Sequence, residues 1–307
     1  MTSPEFSTTR HLTTEKPACF DTPVNGFPTL LRTPDSEHKI ADGGLRLQEQ
    51  FKISSDAKPL ITVVTVVYNR AELLEDTIKN VIEQSYDNIE YIIVDGGSTD
   101  GTLEVIRKYE HAIDYWVSEP DKGIFGAMNK GIDLGSGQWI NFMNAGDYFF
   151  DAGVLRKVFE TPEAFNDADI IYGDHEVKYP RKNKIVKAGK IENLWKGSQF
   201  CHQSALINIR YHKKNKFNMC RKIAADFEFF YGSSRHGSAM RYVPYVISKV
   251  SSGGVSDVRR LESILETWLV VDKKLVVNLF YIVAIISEIL KEGAKKYLKM
   301  ISKLRRQ

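Results

Sequence analysis

Ile61-Thr62-Val63-Val64-Thr65-Val66-Val67-Tyr68-Asn69-Arg70 is the stretch from which the fold follows. Its first seven residues are all β-branched, with no polar alternation, as expected of a strand covered on both faces. Leu73, Leu74, Thr77, Ile78, Val81 and Ile82 then recur at helical spacing. A second strand, Tyr91-Ile92-Ile93-Val94, ends at Asp95 and a glycine turn, and a helix is expected after Gly101. Tyr115-Trp116-Val117 reads as a third strand, 124–134 as a third helix, and Trp139-Ile140-Asn141-Phe142-Met143 as a fourth strand. Strand and helix alternating at this spacing make an α/β domain with a mainly parallel sheet. Ligands of such sheets bind at the carboxyl ends of the strands, and those ends carry the unusual residues here.

Outward from this core the pattern loosens. Residues 169–172, 176–179, 205–209 and 242–249 look like strands, and 225–235 like a helix. Leu261, Ile264, Leu265, Trp268 and Leu269 resume helical spacing, which is expected to continue nearly to the end. The first 58 residues are rich in Thr, Ser, Pro and charge, with one apolar cluster (Phe27, Leu30, Leu31), and read as a largely irregular extension whose second half packs on the domain. The expected division is therefore 1–58 extension, 59–256 catalytic domain, and 257–307 helical segment with a basic tail.

Composition narrows the functional classes. The net charge of +3 gives no argument for nucleic acid. Seven basic residues against one acid in 291–307 leave the rest of the chain at −3, so the basic excess lies in the tail. Cys19, Cys201 and Cys220 form an odd set without CxxC spacing, as expected of reduced thiols in a cytosolic protein. The N-terminal stretch lacks an apolar core, so no secretory signal is expected there. Leu275–Leu290 is the longest apolar run, but Asn278 and Glu288 interrupt it, and it falls short of the roughly 18 residues of a spanning helix.

The strand ends carry the chemistry. Tyr68 is placed either to stack on a nucleobase or to cap the core, and no GxGxxG or GxxxxGK[ST] loop follows it, which argues against a dinucleotide fold of the usual kind and a P-loop. In Asp95-Gly96-Gly97-Ser98-Thr99-Asp100-Gly101, Asp100 suits a helix N-cap, while Asp95 lies too far upstream and suits a base or ribose. Gly97 and Thr99 exclude a calcium loop. Ser118-Glu119-Pro120-Asp121-Lys122-Gly123 leads into Ile124-Phe125-Gly126-Ala127-Met128-Asn129-Lys130-Gly131, a charged loop before a helix that suits a ribose or diphosphate, or an ordinary solvated turn. Asn144-Ala145-Gly146-Asp147 offers oxygen ligands for a divalent cation bridging phosphates, or a plain turn.

In this order the segments TVVYNR, VDGGSTDGT, SEPDKGIFGAMNKG and WINFMNAGD resemble the family 2 glycosyltransferases with the GT-A fold, over about 59–256. Within that family the chain is most similar to bacterial enzymes of exopolysaccharide, colanic-acid-type or O-antigen assembly. The resemblance implies a UDP- or GDP-sugar donor held by Thr65, Tyr68, Asn69, Asp95, Asp121, Lys122, Asn129 and Asn144. It implies Mg²⁺ or Mn²⁺ on Asp147, although Asn144 and Gly146 stand where the family's DxD motif has acids. Asp226 is implied as catalytic base of an inverting transfer, with Glu228 second. Two residues apart on a helix, they point to different faces, so one of them enters the site. His202 and Gln203 are implied at the acceptor or diphosphate, and Gly253 and Gly254 in a loop over the donor. The acceptor expected is a saccharide hydroxyl, lipid-linked or growing. The apolar helix with its basic end is expected either on anionic lipid at the inner face of the cytoplasmic membrane, or packed on the domain or another copy. A nucleotidyltransferase is disfavoured by the lack of a GxGxR-type loop. A non-catalytic sugar-nucleotide-binding scaffold is the alternative left by the incomplete metal motif.

Overall fold

The computed structural model describes residues 6–17, 29–55, 57–160 and 165–304, with side chains described through residue 294. Cys19, Phe27 and the tail's side chains from Lys295 onward lie outside the described residues. The strands among them are β1 (Ala41–Gly43), β2 (Ile61–Val67), β3 (Ile89–Asp95), β4 (Tyr115–Ser118), β5 (Trp139–Phe142), β6 (Tyr148–Phe149), β7 (Ile170–Lys178), β8 (Asn183–Val186), β9 (Ala205–Asn208) and β10 (Met240–Ser251). The helices are α1 (Ala71–Ile82), α2 (Thr102–Lys108), α3 (Ile124–Leu134), α4 (Val154–Phe159), α5 (Ile209–Lys214), α6 (Ala225–Arg235), α7 (Val255–Val258), α8 (Arg260–Val270) and α9 (Leu275–Leu304).

All strands join one sheet in the order β1-β4-β3-β2-β5-β9-β7-β10-β6, with β8 alongside β7. The half that carries the first motifs, β4-β3-β2-β5, is wholly parallel. Every residue of β2 and β3 is buried, and their polar members Thr62, Thr65, Glu90 and Asp95 are hydrogen-bonded among the apolar ones. Helices cover both faces. Leu74, Ile78, Val81 and Ile82 of α1 pack with Ile61, Val63 and Ile93 on one face. Phe125, Met128, Ile132 and Leu134 of α3 pack with Val64, Val66 and Ile92 on the other. The close approach of α3 to β2 depends on Gly131, where a Cβ would stand 2.5 Å from Val64 Cγ1.

The extension is built into this layer structure. β1 adds to the sheet edge antiparallel to β4. Arg46 is buried against Glu90, and Lys52 against Asp114. Burial would raise the Glu90 carboxyl, but Arg46, Ser136 and Thr62 hold it down, at about 2. Ser7 also bonds the end of α1, its N–H donating to the Ile82 carbonyl at 2.8 Å.

One expectation of the second half is corrected. The two strands read at 169–172 and 176–179 are a single strand, β7. Asp174 interrupts the apolar pattern, yet it is buried, accepting bonds from the Ala188 N–H at 2.9 Å and the Tyr242 hydroxyl at 3.0 Å. A partnered carboxylate can occupy an interior strand position that a polar residue usually marks as a break. At the C-terminus, Val277 and Tyr281 of α9 pack on Leu194, Phe227, Tyr231 and Trp268. No helix of the described residues is long and apolar enough to cross a membrane.

Candidate active site

The donor half of the candidate site forms where three parallel strands end side by side. Val67 of β2 pairs with Asp95 of β3, and Asp95 with Ser118 of β4. Asp95 is buried there, its carboxylate accepting from the Ser118 hydroxyl at 2.6 Å and the Ser98 N–H at 3.0 Å. Tyr68, the next residue after β2, is 63% exposed. Its ring is therefore not a cap on the core. A Cβ at Gly96 would lie 3.4 Å from the Tyr68 ring and 3.5 Å from Asp121 Oδ2, so the ring and that carboxylate flank bare backbone.

Asp121 is held on one side only. Lys130 donates to its Oδ1 at 2.6 Å and also pairs with Glu119 at 2.7 Å. Asp121 Oδ2 is buried with no hydrogen-bond partner among the described residues. Burial pushes the Asp121 carboxyl up, and Lys130 opposes the rise. Lys122 is exposed on the same loop.

Three of the residues expected at the donor make hydrogen bonds within the fold. Thr65 is fully buried, its hydroxyl bonded to the Tyr91 hydroxyl at 2.9 Å and the Met143 carbonyl at 2.7 Å. Asn69, in the left-handed region at φ 50°, accepts from the Thr99 N–H at 2.8 Å and gives its own N–H to Ser98 Oγ at 2.8 Å. It ties the first two strand-end loops together. Asn129 spends both ends of its amide on the Phe217 backbone, at 2.9 and 3.0 Å. Asp100, the expected N-cap, lies one residue before the observed cap Gly101 and serves two helices, accepting from the Thr102 N–H of α2 at 3.1 Å and the Ala71 N–H of α1 at 3.2 Å.

The second half lies past β5. Asn144 and Asp147 close a turn, the Asp147 N–H donating to the Asn144 carbonyl at 2.9 Å, with Gly146 at φ 95° between them. The 3-10 turn His202–Ser204 brings its side chains against both. Gln203 Nε2 donates to Asp147 Oδ2 at 2.6 Å. Asn144 Nδ2 meets His202 Nε2 at 3.2 Å, and His202 Nδ1 meets Asp226 Oδ2 at 3.1 Å. With the amide donating, Nε2 is the acceptor and the Nδ1–H points to Asp226. Burial disfavours the charged imidazole, but Asp226 acts against it, and the net effect holds His202 above its usual value. Burial likewise lifts the Asp147 carboxyl to about 6, although Gln203 pulls it down. Asn144 Oδ1 is buried and unpartnered.

Asp226 sits in the first turn of α6, where a helix N-terminus favours a carboxylate. Glu228, the second candidate, is hydrogen-bonded by Arg221 at 3.1 Å and Asn218 at 3.0 Å, whereas Asp226 meets His202. Gly253 and Gly254 follow β10. Both glycines are exposed with open space around them, and the Gly253 N–H donates to Asp257 at 3.1 Å. Ser118 and Lys130 were not singled out by the sequence. Their only signal was proximity to the motifs, since a hydroxyl or ammonium group that orients a carboxylate has no pattern of its own.

Among the described residues no group of three or more His, Cys, Asp or Glu side chains is placed to hold a metal ion. Asp147 and the unpartnered Asn144 oxygen are nonetheless hard oxygen donors on one turn. They fit a Mg²⁺- or Mn²⁺-type ion that takes its remaining ligands from water and substrate phosphate.

The family model described as "Glycosyl transferase family 2" matches residues 62–233. A PGL/p-HBAD biosynthesis glycosyltransferase of Mycobacterium bovis is 26% identical over 209 residues, covering 66% of this chain and 80% of the relative. Among solved structures, Staphylococcus aureus TarS 1–349 in complex with UDP-GlcNAc superposes with a TM-score of 0.54 at 14% identity, covering 68% of this chain and 66% of that one. In a longer TarS chain the match spans 39% of its length. The mannosyltransferase PcManGT from Pyrobaculum calidifontis, in complex with GDP-Man and Mn²⁺, gives 0.54 at 20% identity, with coverages of 69% and 64%. These two structures share the fold. With more than half of the chain inside the family model, and its motifs gathered on one edge of a mixed α/β sheet, the protein belongs to glycosyl transferase family 2.

Proposed function

We propose that the chain transfers a sugar from a UDP- or GDP-linked donor to a saccharide hydroxyl in surface-polysaccharide assembly, with inversion at the anomeric carbon. The observation that carries this reading is the linked set Asp226–His202–Asn144 beside Gln203–Asp147, at the same sheet edge as Tyr68 and Asp121. Two buried acceptor oxygens without partners, Asp121 Oδ2 and Asn144 Oδ1, lie in its two halves. Such atoms are costly unless a ligand completes them.

Tyr68 offers its exposed ring to the base, Asp95 orients the loop beneath it, and Asp121 takes a ribose hydroxyl. Asp226 accepts the proton of the acceptor hydroxyl as the oxygen attacks the anomeric carbon, and the nucleoside diphosphate leaves from the opposite side. His202 holds that carboxylate in place. A divalent cation on Asp147 and the Asn144 oxygen would neutralise charge on the leaving diphosphate. The GDP-mannose and UDP-GlcNAc complexes of the two solved relatives support a nucleotide-sugar donor.

The test is Asp226→Asn. Transfer should fall by about 10²–10⁴-fold while donor affinity, read by calorimetry, stays within twofold. Unchanged turnover removes Asp226 as the base.

The proposed setting is the cytoplasmic side of a membrane, against which α9 lies. Val277 and Tyr281 face the domain, whereas Leu275, Val276, Leu279, Val283, Ile286 and Leu290 are exposed. A basic segment follows them in the sequence. Apolar residues beside cations suit the interface of an anionic bilayer and a lipid-linked acceptor. Deleting 291–307 should release the protein from phosphatidylglycerol vesicles; equal binding removes this placement.

A further inference from the structure

β7 and β8 form a hairpin whose charge the donor site does not use. From Lys178 to Lys190 there are six basic residues, Lys178, Arg181, Lys182, Lys184, Lys187 and Lys190, and no acid. All six are exposed, and none forms an ion pair among the described residues. A charge run of this kind is ordinarily a solvated face with interspersed counter-charges. Here the counter-charges are missing, in a chain whose net charge is only +3.

Position gives the run its meaning. Lys178 pairs with Ser251 across β7 and β10, and two residues back along β10 Lys249 pairs with Tyr148, the residue after Asp147. The turn end of the hairpin, where Lys178 pairs with Asn183, therefore stands one strand spacing, about 4.8 Å, from Ser251, two residues before Gly253. A cavity of about 170 Å³ opens at this junction, lined by Tyr148, Glu176, Lys178, Asn183, Lys249 and Ser251. Pairings Lys249 with Tyr148, Lys249 with Glu176, and Lys178 with Asn183 place these side chains on one face of the sheet. Glu176 is engaged by Asn183 at 3.1 Å. Lys178 and Lys249 are the cations of the cavity, Arg181 and Lys182 lie in the turn beside it, and Lys184, Lys187 and Lys190 follow on the returning strand and beyond.

We propose that this hairpin and the cavity at its turn end bind the acceptor, and that the acceptor is a saccharide carrying anionic groups, carboxylate or phosphodiester. The proposal rests on the glycosyltransferase reading and names the substrate class of its acceptor side. Lysines act as point charges without bidentate geometry, so they select net negative charge along a chain more than one sugar stereochemistry. A neutral glycan would leave the cations without a partner.

The full-length protein is titrated with a short oligogalacturonide, with its methyl ester, which has the same backbone without charge, and with inorganic polyphosphate. The wild type should bind one or both anions and not the ester, more weakly as salt rises. Lys182→Gln/Lys184→Gln/Lys187→Gln should weaken that binding about tenfold, with UDP-sugar affinity unchanged. Lys178→Gln should weaken it too, marking the end next to the site. Oligogalacturonide against polyphosphate separates carboxylate from phosphate recognition. Equal binding of acid and ester, or a triple variant that binds anions like wild type, overturns the proposal. It is overturned as well if the triple variant loses only phosphatidylglycerol vesicles, which would make the hairpin a lipid contact. Wild type that binds no sugar nucleotide removes the transferase reading, whereas normal donor binding without anion binding removes the acceptor assignment alone.

Discussion

His202 Nδ1 lies 3.1 Å from Asp226 Oδ2, joining a 3-10 turn to the first turn of a helix 24 residues later. The opposite ring nitrogen meets Asn144 at 3.2 Å, so the imidazole is held from both sides. In the proposed mechanism His202 acts through Asp226 as a positioning residue. His202→Ala should lower kcat about tenfold or more with donor affinity unchanged, and His202→Asn, which keeps a donor near the carboxylate, should recover part of it. An alanine variant with wild-type kcat removes the positioning role.

Tyr68 is exposed beside Gly96, and nothing in the core depends on its ring. Tyr68→Ala should weaken nucleotide binding by about 1–3 kcal/mol, the range for aromatic–base stacking, and leave the unfolding midpoint where it was. Tyr68→Phe should bind like wild type. Calorimetry with UDP and GDP, alongside thermal melts, checks both statements; a loss of stability matching the loss of affinity speaks against stacking.

Asp147 is the one carboxylate on its turn. Asp147→Ala should abolish any Mn²⁺-dependent increase in donor affinity, and EDTA should have the same effect on the wild type. Full transfer activity of the wild type in EDTA would exclude the cation.

His212 supplies a pH dependence independent of the site. It is fully buried among Phe142, Phe217 and Phe229, with Nε2 unpartnered, and burial pushes its pKa down to about 4. Between that value and the unfolded value near 6.5, only the unfolded chain takes the proton. This contribution is therefore complete above pH 6.5 and declines as the pH falls towards 4, by about 1.4 kcal/mol per pH unit. Urea unfolding should show His212→Phe losing about 2 kcal/mol less than wild type between pH 7 and pH 5. Parallel losses would remove the assignment.

Lys52 and Asp114 form a buried ion pair between the N-terminal extension and the residue before β4. Burial lowers the Lys52 pKa and raises that of Asp114, while each partner opposes the shift of the other. Lys52→Met leaves a buried carboxylate unpaired and should cost about 3–5 kcal/mol. Lys52→Met/Asp114→Asn should recover part of that loss, because the amide carries no charge and still accepts from the Tyr91 N–H at 2.7 Å. A double variant no more stable than the single one counts against the charge explanation.

Local periodicity made much of the fold legible. Ile61–Val67, Ile124–Leu134 and Ala225–Arg235 begin and end as their side-chain patterns require, because each element is largely specified by which of its own faces is apolar. The strand-end motifs likewise singled out Tyr68, Asp95, Asp121, Asn144 and Asp147 as candidates by position along the chain. What the chain order could not contain is how each polar group finds its partner. Thr65 and Tyr68 are three residues apart, yet one hydroxyl is enclosed by Tyr91 and Met143 while the other side chain stands in the open. Asn69 and Asn129 are spent on neighbouring backbone, and Glu228 on Arg221. Sequence alone determined a family 2 α/β sheet with a polar edge. Only the tertiary structure decided that Asn144, His202 and Asp226 meet there, because hydrogen bonding is set by distances of about 3 Å between segments that folding brings together.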